Sequence, residues 1–289
     1  MEDIPLGVRM KEYEKLLLPE IPYSRPFMVR LDGCSFSKFV KGFRRPIDLL
    51  FVKCMALTLT DLLEKFPIST GYSHSDEITL VFPPLPPLEG GKIQTHTYRG
   101  RSQKIATVLA GYTSTRFNFN LDSLSKELNR PELLPKVGKA FFDARILLFP
   151  EDRPEELVNN LIWRSRFDCP RNLISTLGRY LLGHSKIFHK NSKEIVALLE
   201  QEKGLKWETV PVYLQSGIFA KKENYLGHAV NPKTGESVKC IRSKINLLTL
   251  PLRCDSAFLN FLFSKTLDGG EEVEMKKADL EADWKIIET

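Results

Sequence analysis

The chain predicts an α+β fold: a ferredoxin-like βαββαβ sheet followed by a helical C-terminal lobe and a β-hairpin. Three observations carry this. Short apolar runs alternate with long 3.6-periodic stretches in the order β-α-β-β-α-β over residues 27–149. Helical periodicity then dominates residues 153–182 and 192–203. Two strand-like runs, 217–222 and 238–245, flank the turn-forming stretch Asn231-Pro232-Lys233-Thr234-Gly235. The change near Pro150 divides the chain into residues 1–150 and 151–289.

In chain order, Leu6, Met10, Tyr13, Leu16 and Leu17 are spaced as on a helix that Pro19 and Pro22 stop. Phe27-Met28-Val29-Arg30-Leu31 reads as a buried strand running into a tight turn at Asp32-Gly33. Residues 47–66 form a crossover helix, opened by Pro46 and closed by Pro67. Strands at 68–74 and 78–82 are joined by Ser75-Asp76-Glu77. A Pro/Gly-rich loop at 83–91, a second helix at 102–119 and a strand at 141–149 complete the unit. The acidic tail after Asp268 reads as helical or frayed.

Composition narrows the function classes. With 42% apolar and 27% charged residues in 289, the chain is neither disordered nor collagen-like. No segment approaches the run of about 20 apolar residues that spans a bilayer. No secretory signal or presequence is visible, so the expectation is a cytoplasmic protein without a membrane partner, a mitochondrial pool being the alternative. The five cysteines form no C-x-x-C pair, which argues against a zinc site or disulfide framework. A net charge of +6 permits an RNA partner without requiring one.

Right-handed crossover makes the first and second strands parallel, with the third antiparallel between them. Asp32 then lies beside Asp76, and two converging carboxylates suit Mg²⁺, which takes oxygen ligands from carboxylates, water and substrate phosphates. A pair of such ions activates an attacking oxygen and stabilises a leaving one. The Gly33 carbonyl offers a further ligand, and Gly33 lets the chain turn so that a triphosphate approaches the amides of Cys34, Ser35 and Phe36. Glu77 is expected on the opposite face from Asp76. Arg101 and Lys104 share one face at the start of the second helix and read either as a phosphate grip or as a solvated helix start. Lys190, Lys193, Lys221 and Lys222 read either as contacts to nucleic-acid phosphates or as an ordinary polar surface. His96, His184, His189 and His228 read as surface or structural.

Several ordered motifs resemble the tRNA(His) guanylyltransferase superfamily. They are Arg30-Leu31-Asp32-Gly33-Cys34-Ser35-Phe36, Gly42-Phe43-Arg44-Arg45-Pro46-Ile47-Asp48, Gly71-Tyr72-Ser73-His74-Ser75-Asp76-Glu77, Phe142-Asp143-Ala144-Arg145, and Trp163-Arg164 followed by Arg171-Asn172. The resemblance implies a polymerase-like palm as the catalytic domain over 1–150. It implies Asp32, the Gly33 carbonyl and Asp76 as ligands of two Mg²⁺ ions, with Asp32 and Asp76 catalytic. It puts Cys34, Ser35, Phe36, Ser37 and Ser75 around the nucleotide, with Arg45, Asp48, Arg101 and Lys104 nearby; with tRNA as the substrate it implies, Arg171, Asn172 and the basic Lys190 are the candidate tRNA contacts.

The implied reaction is 3′-to-5′ nucleotide addition to a 5′-monophosphorylated tRNA, activated first by ATP or GTP, by a homotetramer. Where eukaryotic histidine-tRNA enzymes carry His-Ile-Asn-Asn-Leu-Tyr-Asn, this chain reads Cys169-Pro170-Arg171-Asn172-Leu173-Ile174-Ser175. It is therefore more similar to the guanylyltransferase-like branch that repairs truncated tRNA 5′ ends on the template of the opposite strand. Cys34 and Ser37 also depart from the family pattern beside the nucleotide. The rival readings are a non-catalytic tRNA-binding relative and a palm-fold nucleotide cyclase. The retained pair of mutually repelling carboxylates argues against the first, and product analysis without RNA separates the second.

Overall fold

The computed structural model describes residues 19–87, 90, 94–231, 233, 235–265, 276–278 and 280. The helix expected over 6–18, part of the 83–91 loop and most of the tail after Asp268 lie outside these residues. Strand β1 (Phe27–Gly33) pairs antiparallel with both β3 (Glu77–Phe82) and β4 (Phe142–Leu148). Strand β2 (Thr70–His74) pairs antiparallel with β3, so β1 and β2 run parallel with β3 between them, as the crossover rule predicts. The order β4-β1-β3-β2 continues through β5 (Ile218–Val230), β6 (Ser237–Thr249) and the short β7 (Lys276–Lys277) into one seven-stranded sheet.

The hairpin therefore extends the sheet and is longer than its sequence pattern suggests. β5 and β6 stay in register from Phe219 opposite Leu248 to Val230 opposite Ser237. Their outer halves are exposed on both faces, so no apolar alternation marks them. In the described piece of the tail, Lys276 and Lys277 pair with Thr249 and Leu248 as a strand rather than forming a helix.

The first helical turn is α1 (Phe36–Phe39), and the crossover helix is α2 (Leu49–Lys65). Asp48, not Pro46, opens α2: its Oδ1 accepts the Leu50 N–H at 3.0 Å. Helix α3 (Ser102–Glu127) runs past the expected end at 119. The polar residues that break its pattern have tertiary partners, with Asn118 donating to the Ala140 carbonyl at 2.8 Å and Asn120 to Asp61 at 2.9 Å. α2 and α3 cover one face of the sheet through Val29, Leu31, Ile78 and Leu80. Full burial of each such side chain stabilises the fold by about 1.5–3 kcal/mol.

The opposite face, with Met28, Tyr72, Val81 and Phe219, packs on α4 (Glu156–Trp163) and α9 (Ser256–Phe263). A third cluster joins α5 (Cys169–Leu181), α7 (Ser192–Lys203) and α8 (Val212–Ser216) to the flank of α2, with the short α6 (His184–Ile187) between α5 and α7. A proline inside the 153–182 helical run is expected to interrupt it, but Pro170 does not. A π-turn at Arg164–Asp168 carries α4 into α5, and Pro170 sits in the first turn of α5, where its missing N–H costs little. His96 is structural, its Nε2 lying 3.1 Å from the Pro22 carbonyl and 3.2 Å from that of Arg25.

Lys221 is not a phosphate contact. It is 2% exposed, and its Nζ donates to Ser264 O at 2.8 Å, Thr70 Oγ1 at 2.9 Å and the Phe261 carbonyl, which ties the C-terminal end of α9 to the sheet. Burial pulls its pKa down to about 7. Lys222 is likewise held, donating to Leu63 O at 3.0 Å. Lys221→Met keeps the apolar stem but leaves these oxygens without a donor, so chemical denaturation is expected to show a loss of about 2–3 kcal/mol.

Candidate active site

Asp32 stands near the end of β1, directly across from Glu77 in β3 and Asp143 in β4. The adjoining hairpin turn is tight because Ser75 takes a left-handed φ of 50°. The Gly33 N–H donates to the Asp76 carbonyl at 3.1 Å, which clamps the turn to the end of β1, and Ser75 Oγ donates to Asp76 Oδ1 at 3.0 Å. Strand pairing and turn thus bring the two carboxylates together. Burial raises the Asp32 pKa, and the charges of Asp76 and Asp143 raise it further against Arg30 and Arg145.

Among the described residues neither Asp32 nor Asp76 is in an ion pair, and no three Asp, Glu, His or Cys side chains form a metal cage. Two carboxylates with a neighbouring backbone carbonyl form an all-oxygen donor set. Such a set suits Mg²⁺ that keeps water and substrate phosphates in its shell, and it does not suit zinc.

Gly33 is needed for space rather than for conformational freedom. A Cβ there would come within 2.4 Å of the Phe36 ring, which packs against Phe39, Phe117 and Phe142 at ring-centre distances of 4.9, 5.6 and 5.0 Å. The left-handed residue of this loop is Ser35, with φ 58°. The Cys34 amide is not available to a triphosphate, because it donates to the Phe141 carbonyl at 2.9 Å. Its thiol lies 3.8 Å from Asp143.

Beside the acid pair a cleft of about 450 Å³ opens between α2 and α5. It gathers Phe36, Ser37, Arg45, Asp48, Ser75 and Asp76 on one side and Asn172 on the other. Its interior is largely apolar, with Phe51, Met55, Leu173 and Tyr213, a lining suited to a nucleobase. Asp48 is buried and its oxygens are engaged. Oδ2 accepts the Arg44 N–H at 2.8 Å and Arg130 at 3.0 Å, so Asp48 positions the Arg44-Arg45 loop at the cleft.

Arg101 and Lys104 are not brought to this cleft within the chain. The Phe142 N–H bonds Ser114 Oγ at the level of Gly33, and Lys104 lies ten residues earlier on α3, about 15 Å down the helix. Lys104 stacks instead on Tyr98, 5.2 Å from the ring centre, and Arg101 donates to the Tyr98 carbonyl at 3.2 Å. Arg171 is exposed and pairs with Asp168, while Lys190 and Lys193 are exposed at the start of α7, away from the cleft lining.

A buried charge network behind the hairpin has no pairwise signature in the sequence. Arg164 NH1 lies 2.8 Å from Asp168 Oδ2 and 3.1 Å from Glu77 Oε2; His74 Nε2 lies 3.5 Å from Asp168, and Arg30 3.7 Å from Glu77. Glu77 shares the sheet face of Asp32, but its carboxylate is held by these arginines, and burial raises its pKa to about 7. The π-turn sets Arg164 and Asp168 four residues apart on one side, which links the Asp76 hairpin to α5. Arg30, His74, Glu77 and Arg164 each stand in a family-like motif and Arg164 and Asp168 are four residues apart on a helix, but nothing in the sequence joins these segments.

A palm-type sheet that sets an acid pair beside a nucleotide-sized cleft suits phosphoryl transfer from a nucleoside triphosphate. The family model for Thg1, tRNAHis guanylyltransferase, matches residues 7–150. The chain is 35% identical over 268 residues to the uncharacterized protein R259 of Acanthamoeba polyphaga mimivirus, covering 90% of each chain. It is similar to a bacterial tRNA(His) guanylyltransferase (Thg1)-like protein in complex with ATP, with 27% identity, a TM-score of 0.65, and coverage of 75% of this chain and 88% of that one. For the bacterial protein in complex with GTP the values are 25%, 0.60, 84% and 91%. The tRNA(His) guanylyltransferase of Saccharomyces cerevisiae, at 19% identity and a TM-score of 0.55 over 72% of this chain and 91% of that one, shares the fold. The chain belongs to the tRNAHis guanylyltransferase family and is a nucleotidyltransferase of that type.

Proposed function

We propose that the protein adds nucleotides in the 3′-to-5′ direction to the 5′ ends of truncated tRNAs, copying the opposite strand of the acceptor stem. The observation that carries this reading is the meeting of Asp32 with Asp76, which itself lines the apolar cleft. The relatives solved with ATP and with GTP support nucleoside triphosphates as substrates. Asp32, Asp76 and the Gly33 carbonyl would hold Mg²⁺. Bound there as two ions, Mg²⁺ supplies Lewis acidity that lowers the cost of the attacking oxyanion and neutralises the departing phosphates.

The chain's own residues do the positioning. The β1–hairpin clamp fixes both carboxylates before substrate arrives, so little reorganisation accompanies the reaction. Phe36 and Ser37 border the phosphates, the cleft interior takes the base and keeps water from it, and Arg45 adds positive charge at the rim. ATP or GTP first transfers its nucleoside monophosphate to the 5′-monophosphate with release of pyrophosphate, and the 3′-hydroxyl of the incoming nucleotide then attacks the 5′-phosphorus, forming the new phosphodiester and releasing AMP or GMP. The departure at Cys169-Pro170-Arg171-Asn172 from the eukaryotic histidine-tRNA motif supports repair over histidine-tRNA maturation. Family resemblance supports a homotetramer, which sedimentation of the purified protein measures.

The test is incubation with Mg²⁺ and a truncated tRNA bearing either a 5′-monophosphate or a 5′-triphosphate. The expected result is that the monophosphate form needs ATP or GTP before extension and the triphosphate form does not. No extension of either form, with tRNA still bound, favours the non-catalytic reading.

A further inference from the structure

On its outer side the cleft opens into a second pocket lined by Arg45, Pro46, Thr176, Arg179 and Tyr180. Arg45 comes from the loop ahead of α2. Asn172, Thr176 and Arg179 come from α5, recur at helical spacing and all line the cleft from that side. Arg179 lies ten residues beyond Cys169, about 15 Å along the helix from the end where Asp168 meets His74 behind the Asp76 turn. Among the described residues neither Arg45 nor Arg179 has an ion-pair or hydrogen-bond partner, and no carboxylate lines the outer pocket. Tyr180 beside them is 55% exposed.

A mononucleotide carries its phosphates at one end only. The reading above places that end at Asp32 and Asp76 and the base in the apolar middle of the cleft, and this inference rests on it. An anion at the far, arginine-lined end must then belong to a second molecule. Two guanidinium groups match a phosphodiester, and an exposed aromatic ring accepts an unstacked base. We propose that Arg45, Arg179 and Tyr180 form an RNA cradle that holds a phosphodiester of the tRNA strand beyond its reacting end. The competing source of phosphate is the triphosphate of a free nucleotide, and the test separates the two.

Binding of a truncated tRNA to the full-length protein is measured across a salt series without nucleotide, and the KM for ATP is measured in the addition assay. Arg179→Ala is expected to weaken tRNA binding about tenfold and to lower the slope of log K against log salt by about one. Arg179→Lys restores the slope, because the charge is kept. Tyr180→Ala weakens binding about tenfold with the slope unchanged. The KM for ATP does not move in the Arg179 variants. Unchanged tRNA affinity and slope in Arg179→Ala overturn the cradle, and so does a rise in the ATP KM with tRNA binding unmoved, which assigns the pocket to the triphosphate. The binding arm needs no turnover, so absence of nucleotide addition by the wild type defeats the activity reading while the cradle is still judged on its own measurement.

Discussion

Replacing Asp32 or Asp76 by alanine is expected to lower nucleotide addition by at least about a thousandfold, since a Lewis-acid site supplies several kcal/mol of transition-state stabilisation. The fold is expected to persist, because the repulsion that raises the Asp32 pKa is relieved in either variant. Thermal melts and far-UV circular dichroism check the fold, and single-turnover extension checks the chemistry. The pH profile adds a sharper readout. Without a bound cation, burial and the Asp76 charge hold the Asp32 carboxyl above the ordinary carboxylate range, so protons compete with Mg²⁺ for it and the Mg²⁺ concentration needed for half-maximal activity is expected to rise as pH falls. Full activity in both alanine variants would defeat the assignment.

Arg164→Met is expected to cost about 3–5 kcal/mol of stability, because it leaves Glu77 and Asp168 buried without their shared partner. That is a large fraction of the about 5–15 kcal/mol that holds a typical domain. The sign of the pH dependence follows from Glu77, whose pKa is raised to about 7 in the folded chain from 4.5. Its contribution to stability is fully present below the unfolded value and is lost as pH rises through about 7. The penalty of Arg164→Met is therefore larger at pH 8 than at pH 6, where a protonated Glu77 carries no uncompensated charge. Adding Glu77→Gln recovers part of the loss, and a double-mutant cycle from urea denaturation measures the coupling. A pH-independent loss below 1 kcal/mol would show that the network is not needed to hold the hairpin to α5.

The palm was legible because its strands are short apolar runs and its helices strongly periodic, so crossover handedness alone placed Asp32 beside Asp76. The glycine after Asp32 was legible as necessary, but the reason was not. The ring packed where its Cβ would go belongs to Phe36, and that contact depends on Phe117 and Phe142, far away in sequence. Lys221 misled because a lysine in a polar-looking strand reads as solvated, and only the return of α9 over the sheet buries it. Arg101 and Lys104 stayed ambiguous because residues at a helix start are close in sequence to nothing that says which end of the sheet they occupy. The Glu77–Arg164–Asp168–His74 network joins segments about 90 residues apart and has no local pattern. Arg179 could have been found from the helical repeat of Asn172, Thr176 and Arg179, but its facing partner Arg45 could not.

The most direct test of the account is extension of a truncated, 5′-monophosphorylated tRNA with ATP and all four nucleoside triphosphates. The nucleotide opposite the missing position is changed in turn to each of the four bases, and the new 5′ end is sequenced. The account predicts that the added nucleotide follows the opposite base in every substrate and that addition vanishes in Asp76→Ala. Addition of guanosine regardless of the opposite base would contradict it.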